Sequence, residues 1–529
     1  MQIHQILIFR PWVPEWLART VIFCLLMISL FSFALYSNPA ALMGYYGVEP
    51  ADVQYGMVLT YASAVTFLAL DFRIVKYFSS RKYLLFGLSL SCFCSLACFY
   101  TKGWLLFLAC AFIQGITCAL ICSIVLNLVF PRLDSARARV IGYTILYGGI
   151  QISVPFYAIY ANILLHFFDL NWIFYGHIIL LTAIAVIVLI TMNAKARFHK
   201  KIPLYQVDWT GYFFYTAFCL VIGYILIYGQ RLGWFESSLI GFLTVFGFVL
   251  LFLFVIREIN LKRPLINLRV FKAKNFVIGL LLLFVFYIFK GTTGLTYGYV
   301  ETILGTDPLH IFPIWLAVIA GTALSMFVTA RLILTGTDLI LLIIAGFVIM
   351  GIYYAYMLTW ISVTGETRDF VFPMFIYGAA TGVLFVPIVS FTASSAPPHI
   401  AFNVGFVGIF ARFAGFCASM AINNQLQLFT KASVSEKIRE AVHESNSQFF
   451  LTLENIQYAY LNNGNDIYTS KAASQLYFNT LLKRQILARA SMDYYEVMLT
   501  GIVVVIVLIL FLPKIHSFVP RRSETGKNS

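Results

Sequence analysis

Residues 104–129 read WLLFLACAFIQGITCALICSIVLNLV and contain no charged side chain. A helix of about 20 apolar residues is long enough to cross the hydrocarbon core of a bilayer. Because lipid offers no partner to free backbone groups, such a run must be a helix or a barrel strand. The run is continuous and lacks the alternation of a barrel strand, which favours a helix. The stretch therefore predicts a transmembrane helix.

Similar apolar runs recur along the whole chain of 529 residues. Of these residues, 61% are hydrophobic and 11% are charged, and the mean hydropathy is +0.86, which excludes a soluble globular domain. We predict an all-α polytopic membrane protein with fourteen transmembrane helices. The predicted spans lie near residues 18–38, 53–72, 83–100, 103–129, 139–163, 172–193, 209–230, 236–256, 276–300, 311–330, 338–360, 369–394, 402–424 and 495–513.

The basic residues predict the orientation. If the N-terminus is cytoplasmic, 24 of the 36 Lys and Arg residues lie on the cytoplasmic side of the predicted spans. Three lie in short outer loops, namely Lys102, Arg231 and Arg368. Short loops rich in Lys and Arg stay in the cytoplasm. The ratio predicts a multi-pass protein of the cell (inner) membrane with both termini in the cytoplasm.

Composition also excludes several classes of function. The formal net charge of +14 is explained by membrane orientation, since no basic stripe interleaved with aromatics lies on a soluble segment, and we expect no nucleic-acid partner. The nine cysteines all fall inside predicted spans without metal-ligand spacing, so they predict neither a metal site nor a disulfide. No nucleotide-binding motif is present, which excludes ATP-driven export by this chain alone, and we expect no cofactor.

The two halves of the chain show a faint internal repeat. Residues 112–115 (FIQG) recur as 375–378 (FIYG), and Gly142 and Gly405 share that offset of 263. Eight predicted spans separate the equivalent positions, so we predict two six-helix bundles with two helices inserted between them. Transporters with such repeats bind substrate at the repeat interface. The predicted units are a cytoplasmic lead-in (1–17), an N-terminal bundle (18–193), inserted helices 7 and 8 (194–256), a C-terminal bundle (257–513) with an outer insert (425–494), and a cytoplasmic tail (514–529).

The outer insert is the only sizeable soluble piece that we predict. Ser433 and Glu436 have capping-box spacing, which predicts a helix that begins there and runs through Val442. Residues 462–466 (NNGND) predict a turn, followed by a second helix that leads into the last span. The insert is either a cap on the transporter or a docking surface for a periplasmic adaptor protein.

Several stretches resemble one family. They are Asp208-Trp209-Thr210-Gly211 at the predicted seventh span, residues 263–271 (RPLINLRVF) before the ninth, 382–387 (GVLFVP) in the twelfth and 411–415 (ARFAG) in the thirteenth. In this order they resemble the major facilitator superfamily, specifically its fourteen-helix drug:proton antiporters of the EmrB/QacA type. The resemblance covers roughly residues 110–513. It implies the major facilitator fold and the export of lipophilic compounds driven by protons.

The chain departs from this family at the positions linked to proton coupling. Gln114 and Gly115 match the fourth-span motif, but the preceding Arg of the family is Ala111 here. The inner loop after the second span keeps basic residues such as Arg81 but lacks the motif's Asp and Gly. Pro155 remains in the fifth span, outside the usual Gly-Pro order, and the first span holds no acid. The resemblance therefore implies the fold without the family's standard coupling residues.

Two cations inside predicted spans are candidates for substrate binding or coupling. Lys290 lies in the middle of the ninth span, where a cation is costly and should face a cavity or a partner. We expect it to meet an acid from another span, to contact an anionic substrate, or to titrate itself. Arg412 lies deep in the thirteenth span, where it either serves the same purpose or anchors backbone carbonyls.

The candidate proton carriers lie near the ends of spans. Asp71 stands at the inner end of the second span, where the alternative is an interfacial cap facing Arg73 and Lys76. Glu301 stands at the outer end of the ninth span, after a run of Gly and Thr that could soften the helix, and it is otherwise a loop acid. A lone His177 in the sixth span is most simply a packing residue.

We therefore expect a secondary transporter and not an enzyme. The leading hypothesis is efflux of drugs and other lipophilic compounds, with small molecules and the lipid bilayer as partners. The alternative is a transporter of the same fold for an anionic metabolite or lipid with non-standard coupling. A membrane-embedded lipid-modifying enzyme is a remote third reading, because no His-Asp pair or carboxylate cluster lies at a membrane face.

Overall fold

The computed structural model describes residues 8–133, 135–197, 207–302, 304, 305, 307–361, 365–396, 403–441 and 447–511. These residues form eighteen α-helices joined by short turns and 3₁₀ segments. The helices are α1 Glu15–Ser29, α2 Phe31–Ala34, α3 Pro39–Tyr46, α4 Pro50–Ile74, α5 Ser80–Tyr100, α6 Trp104–Val129, α7 Ala136–Phe167, α8 Asn171–Thr191, α9 Trp209–Tyr228, α10 Ser238–Asn260, α11 Lys274–Lys290, α12 Thr293–Thr302, α13 Phe312–Leu334, α14 Leu339–Trp360, α15 Val371–Ser394, α16 Asn403–Ala441, α17 Ser447–Asn462 and α18 Ile467–Leu510.

The helices provide the predicted number of membrane spans. Within the described part of the chain, thirteen segments are long and apolar enough to cross a membrane. A fourteenth is the bent pair of Glu15–Ser29 and Phe31–Ser37, which turns by 41° at Leu30. The fourteen spans predicted from hydropathy each coincide with one of these segments, and the all-α prediction is confirmed.

A short helix between the first two spans was not predicted. The side chain of Asn38 accepts a hydrogen bond from the backbone N–H of Ala41 at 3.1 Å and so caps α3. The helix ends at Gly47, whose φ of +65° is the left-handed conformation that favours glycine. These local signals were present in the sequence, but they lie outside any apolar run.

The outer insert differs from its prediction at one end. α16 runs through Ser433 without interruption, so the capping box predicted there is wrong, and Val442 lies outside the described residues. Helical hydrogen bonds already satisfy the backbone at Ser433, and residues 416–432 before it contain neither Pro nor Gly. The predicted turn after Asn462 is confirmed, with Gly464 at φ +89°. Asp466 caps α18 by accepting from the N–H of Thr469 at 3.0 Å.

The internal repeat corresponds to two equivalent helix crossings. At Gly115 on α6, a Cβ atom would overlap the carbonyl oxygen of Thr60 on α4. At Gly378 on α15, a Cβ atom would overlap the carbonyl oxygen of Val318 on α13. The two glycines differ by 263 residues, which is the offset found in the sequence, and the two carbonyls differ by 258. This correspondence supports the predicted duplication, while the boundaries of the two bundles remain a prediction.

The other pair of repeated glycines does not share an environment. A Cβ at Gly142 would overlap the side chain of Leu133, whereas a Cβ at Gly405 would meet no atom within 4 Å. Gly142 and Gly405 therefore share the offset in sequence but not the same contact in the structure.

The crossing at Gly115 predicts the effect of one added methyl group. Gly115→Ala places a Cβ against the backbone of α4, which has no flexible group to move away, so α4 and α6 must separate. We expect a destabilisation of roughly 1–3 kcal/mol from this overpacking. It should appear as a lower midpoint of thermal unfolding in detergent. Gly405→Ala is the control, because its added methyl group has room and alanine favours a helix. Equal midpoints for the two variants would contradict the close crossing.

Candidate functional site

The ninth predicted span is broken next to Lys290. α11 ends at Lys290 and α12 begins at Thr293, so the predicted softening by the Gly and Thr run is confirmed. A broken helix leaves backbone carbonyls that lipid cannot satisfy. Here hydroxyl groups from three neighbouring helices supply the donors.

Each freed carbonyl of α11 has an identified donor. Ser419 of α16 donates to the carbonyl of Ile288 at 2.7 Å. Tyr354 of α14 donates to that of Phe289 at 2.8 Å, and Tyr377 of α15 donates to that of Lys290 at 2.8 Å. These three hydrogen bonds therefore stabilise the break between α11 and α12.

The start of α12 is held in a similar way. The hydroxyl of Thr292 lies 2.6 Å from that of Tyr354 and 3.2 Å from that of Tyr494. The hydroxyl of Thr296 lies 2.6 Å from that of Tyr495. Pairs of adjacent tyrosines inside apolar spans were the sequence signal for this network, and sequence reasoning missed it.

Lys290 reaches across to the N-terminal half of the protein. Its ammonium group donates to the side-chain oxygen of Gln151 on α7 and stands 5.1 Å from the ring centre of Tyr287. Among the described residues, no carboxylate comes within the 4.0 Å limit of an ion pair with Lys290. The expectation that an acid from another span pairs with it is not met there.

Arg412 lies at the same junction and is only 6% exposed. Its guanidinium stands 5.2 Å from the ring of Tyr147 on α7 and 5.2 Å from that of Phe385 on α15. Its Nε atom is buried and has no hydrogen-bond partner among the described residues. In the same part of the chain, Arg412 contacts aromatic rings, and the predicted anchoring to backbone carbonyls is not found.

These side chains form one cluster, which we call the dibasic site. Its aromatic members are in mutual contact, because the ring of Phe385 lies 5.2 Å from that of Tyr147 and 6.4 Å from that of Tyr287. The site joins α7 to α11, α15 and α16. The dibasic site consists of Lys290, Arg412, Gln151, Tyr147, Tyr287 and Phe385.

Asp71 is buried near the C-terminal end of α4, away from the dibasic site. One carboxylate oxygen accepts a hydrogen bond from the hydroxyl of Tyr83 on α5. The other oxygen is buried, and no described residue lies within hydrogen-bonding geometry of it. A carboxyl group buried in this way is not the interfacial cap that was the alternative interpretation of Asp71.

The two cations beside Asp71 have other contacts. Arg73 donates to the carbonyl of Pro264 at 2.6 Å. The ammonium of Lys76 stands 3.9 Å from the ring of Phe72. Burial and the neighbouring charge of Arg73 lower the pKa of Lys76, which lies in the loop beyond α4.

The remaining candidates are not brought to the dibasic site. Glu301 lies near the end of α12 and forms no ion pair within the described residues. His177 stacks on the ring of Phe31 at 4.2 Å, and its Nδ1 lies 3.0 Å from the hydroxyl of Ser95. Gln114 donates to the same hydroxyl at 3.4 Å, so both belong to packing within the N-terminal half.

The other family-motif positions have structural contacts. Asp208 caps α9 and forms an ion pair with Arg257 at 2.7 Å. Trp209 is 53% exposed on the outside of the helices. Arg81 donates to the carbonyl of Met192 at 3.5 Å, and Pro155 lies inside α7.

The family model described as the Major Facilitator Superfamily matches residues 21–419. The chain belongs to this superfamily. Membership and the many apolar helices make it a multi-pass membrane protein with the transporter fold, and they argue against an enzyme.

Several proteins are similar to parts of this chain. The multidrug export protein EmrB of Escherichia coli (strain K12) is 27% identical over 248 residues, which are 43% of this chain and 44% of that protein. The fatty acid resistance protein FarB of Neisseria gonorrhoeae is 26% identical over 176 residues, which are 31% and 32% of the two chains. The chain thus matches less than half the length of these relatives.

Solved structures share the fold over nearly the whole chain. A crystal structure of a POT family transporter in complex with 5-aminolevulinic acid covers 94% of this chain and 97% of its own, with a TM-score of 0.56. The identity is 13%, so the likeness extends to the fold alone.

The donors at the break predict the effect of removing one hydroxyl. Tyr377→Phe leaves the carbonyl of Lys290 without its 2.8 Å donor in a dry environment. We expect a loss of about 1–3 kcal/mol of stability, seen as a lower thermal midpoint in detergent, together with reduced transport. Tyr356→Phe is the control, since the Tyr356 ring packs on Trp360 and Phe372 and its hydroxyl has no described bond. A Tyr377 variant as stable and active as this control would show that the donor is dispensable.

Proposed function

We propose that the protein is a secondary transporter that exports lipophilic small molecules, driven by the proton gradient. The observation that carries the proposal is the position of the dibasic site, where a broken helix of the C-terminal half meets α7 of the N-terminal half. In transporters built from repeats, a site at the repeat interface is exposed to each side of the membrane in turn. The names of EmrB and FarB, an export protein and a resistance protein, support export as the direction.

Contacts between α4 and α16 close this interface at both ends. At the predicted outer end, the amides of Gln54 and Asn424 exchange hydrogen bonds of 3.2 and 2.6 Å. At the predicted inner end, the rings of Phe72 and Phe406 lie 5.6 Å apart. The two contacts are 18 residues apart on each helix, which corresponds to about 27 Å at about 1.5 Å per residue. Alternating access requires that one of these contacts opens while the other stays closed.

Arg412 lies between the two contacts along α16. It is six residues from Phe406 and twelve from Asn424, or about 9 and 18 Å along the helix axis. Both distances place it well inside a hydrocarbon core of about 30 Å. The depth supports the dibasic site as the place where substrate is held while both ends are closed.

Asp71 is the proton carrier that the contacts support best. It directly precedes Phe72, so opening of the inner contact would bring water to its buried carboxyl group. An ionised carboxylate without a cation is costly to bury, whereas a hydrated one is stable. Opening towards the cytoplasm therefore favours release of a proton there, which is the direction that an exporter driven by the proton gradient requires.

The orientation and the adaptor are further parts of the proposal. The counts of Lys and Arg support cytoplasmic termini and an inner-membrane location. A periplasmic adaptor on segment 425–494 is supported by exposed apolar side chains that lie outside the spans predicted from the sequence, such as Phe429 at 69% and Leu476 at 72%. Large exposed apolar side chains outside lipid are typical of interaction surfaces.

Transport by reconstituted protein tests the proposal. We expect wild-type proteoliposomes to export a lipophilic substrate against its gradient only when a proton gradient is imposed. Asp71→Asn should retain exchange of substrate across the membrane but should lose uphill transport by at least tenfold, because the amide cannot carry a proton. Asp338→Asn is the control, since Asp338 is exposed at the start of α14.

Two outcomes would contradict the proposal. Uphill transport by the wild type without a proton gradient would overturn antiport. Uphill transport by the Asp71 variant at the rate of the Asp338 variant would overturn the assignment of the proton carrier.

A further inference from the structure

The dibasic site contains buried donors for which the described residues provide no hydrogen-bond acceptor. These donors are the Nε atom of Arg412 and the side-chain nitrogen of Gln151. Among the described residues, the ammonium of Lys290 donates to the neutral side-chain oxygen of Gln151 and pairs with no carboxylate. Buried polar groups are nearly always satisfied in proteins, so a group of unpaired donors calls for an acceptor that a ligand supplies.

The charged side chains of the dibasic site are all basic. The ring of Tyr287, which lies beside Lys290, is 6.4 Å from the ring of Phe385, which lies beside Arg412. No acid forms an ion pair with either cation within the described ranges. A cationic substrate would be repelled by both groups, whereas an anion would gain charge-assisted hydrogen bonds that are strong in a dry site.

Each cation is stabilised without a ligand. Lys290 is the last residue of α11, where the carbonyl end of the helix carries partial negative charge that favours a cation. Arg412 lies between two aromatic rings, whose faces attract a cation. The helix end and the aromatic rings therefore offset part of the cost of burying the two basic side chains before a ligand binds.

An apolar surface continues from the cations along α16. Phe413 and Phe416 follow Arg412 directly on this helix, and their rings lie 5.5 and 5.6 Å from that of Tyr61 on α4. A substrate whose charged end meets Lys290 and Arg412 would place its apolar part against these rings.

We propose that the dibasic site binds the anionic end of an amphipathic substrate, so that the transporter selects lipophilic organic anions over lipophilic cations. This inference rests on the proposed function, because it names the substrate class of the same site. It assigns Arg412 and Lys290 to the anionic end and the adjoining aromatic rings to the apolar part.

The experiment uses two permanently charged probes of equal chain length, octanesulfonate and octyltrimethylammonium. Neither changes its charge with pH, so the proton gradient does not alter the probe. Exchange is measured in proteoliposomes of the full-length protein without a proton gradient. We expect the wild type to exchange the sulfonate at least tenfold faster than the ammonium compound. We also expect the sulfonate to raise the thermal midpoint of the wild type.

Variants at the site should change the selectivity in a defined direction. Lys290→Gln should raise the apparent KM for octanesulfonate about tenfold, Lys290→Arg should restore it, and Lys290→Glu should reverse the preference for the two probes. Lys431→Gln is the matched control, since it removes a cation from the same helix as Arg412, at a site where the ammonium bonds to Gln427. Thermal unfolding of every variant without ligand identifies any that does not fold, and the Lys290→Arg variant keeps the test valid in that case.

The outcomes separate the two proposals. A wild type that is not stabilised by octanesulfonate, or that exchanges both probes equally, overturns the anion site. Proton-driven export of the ammonium probe by the same preparation would leave the proposed function standing. Unchanged selectivity in a folded Lys290→Glu variant would show that the cation at this position does not determine the preference between the two probes.

Discussion

A carbonyl group released inside a membrane must find a donor within the protein, and this constraint determines how the centre of the molecule is built. The break between α11 and α12 releases several carbonyls at once. Ser419, Tyr354 and Tyr377 satisfy them from three different helices, so those helices are fixed around the break. Lys290 is positioned by the same contacts, since its own carbonyl is one of the acceptors. The charged site is thus a consequence of how the broken helix is held.

The rest of the fold provides rigid halves that can move against one another. At Gly115 in the N-terminal half and at Gly378 in the C-terminal half, the helices cross with their backbones in contact. Backbone contacts of this kind leave little room for sliding within a half. The interface between α4 and α16 is held instead by a pair of amides at one end and a pair of rings at the other. Separation is easier at such an interface than at the glycine crossings.

Features that depend on a single helix could be predicted from the sequence. The fourteen spans and the softened segment after Lys290 both follow from apolar runs and residue types along one helix. The partner Gln151 could not be found, because nothing in α7 specifies that α11 packs against it. The capping box predicted at Ser433 is wrong because α16 already continues through this position. A local helix-start signal has no effect where a helix that arrives from the membrane already satisfies the backbone.

The charge of the proposed substrate offers a reason why the family's coupling residues are missing. Moving one elementary charge across the membrane changes its free energy by about 2.3 kcal/mol for every 100 mV of membrane potential. In a cell whose interior is negative, export of an anion is driven by that potential, whereas export of a cation is opposed by it. A transporter for lipophilic anions therefore needs less work from each proton than a transporter for cationic drugs. Under this proposal, the lower demand accounts for the absence of the first-span acid and of the family's Arg at position 111, and Asp71, the proposed proton carrier, links transport to the proton gradient.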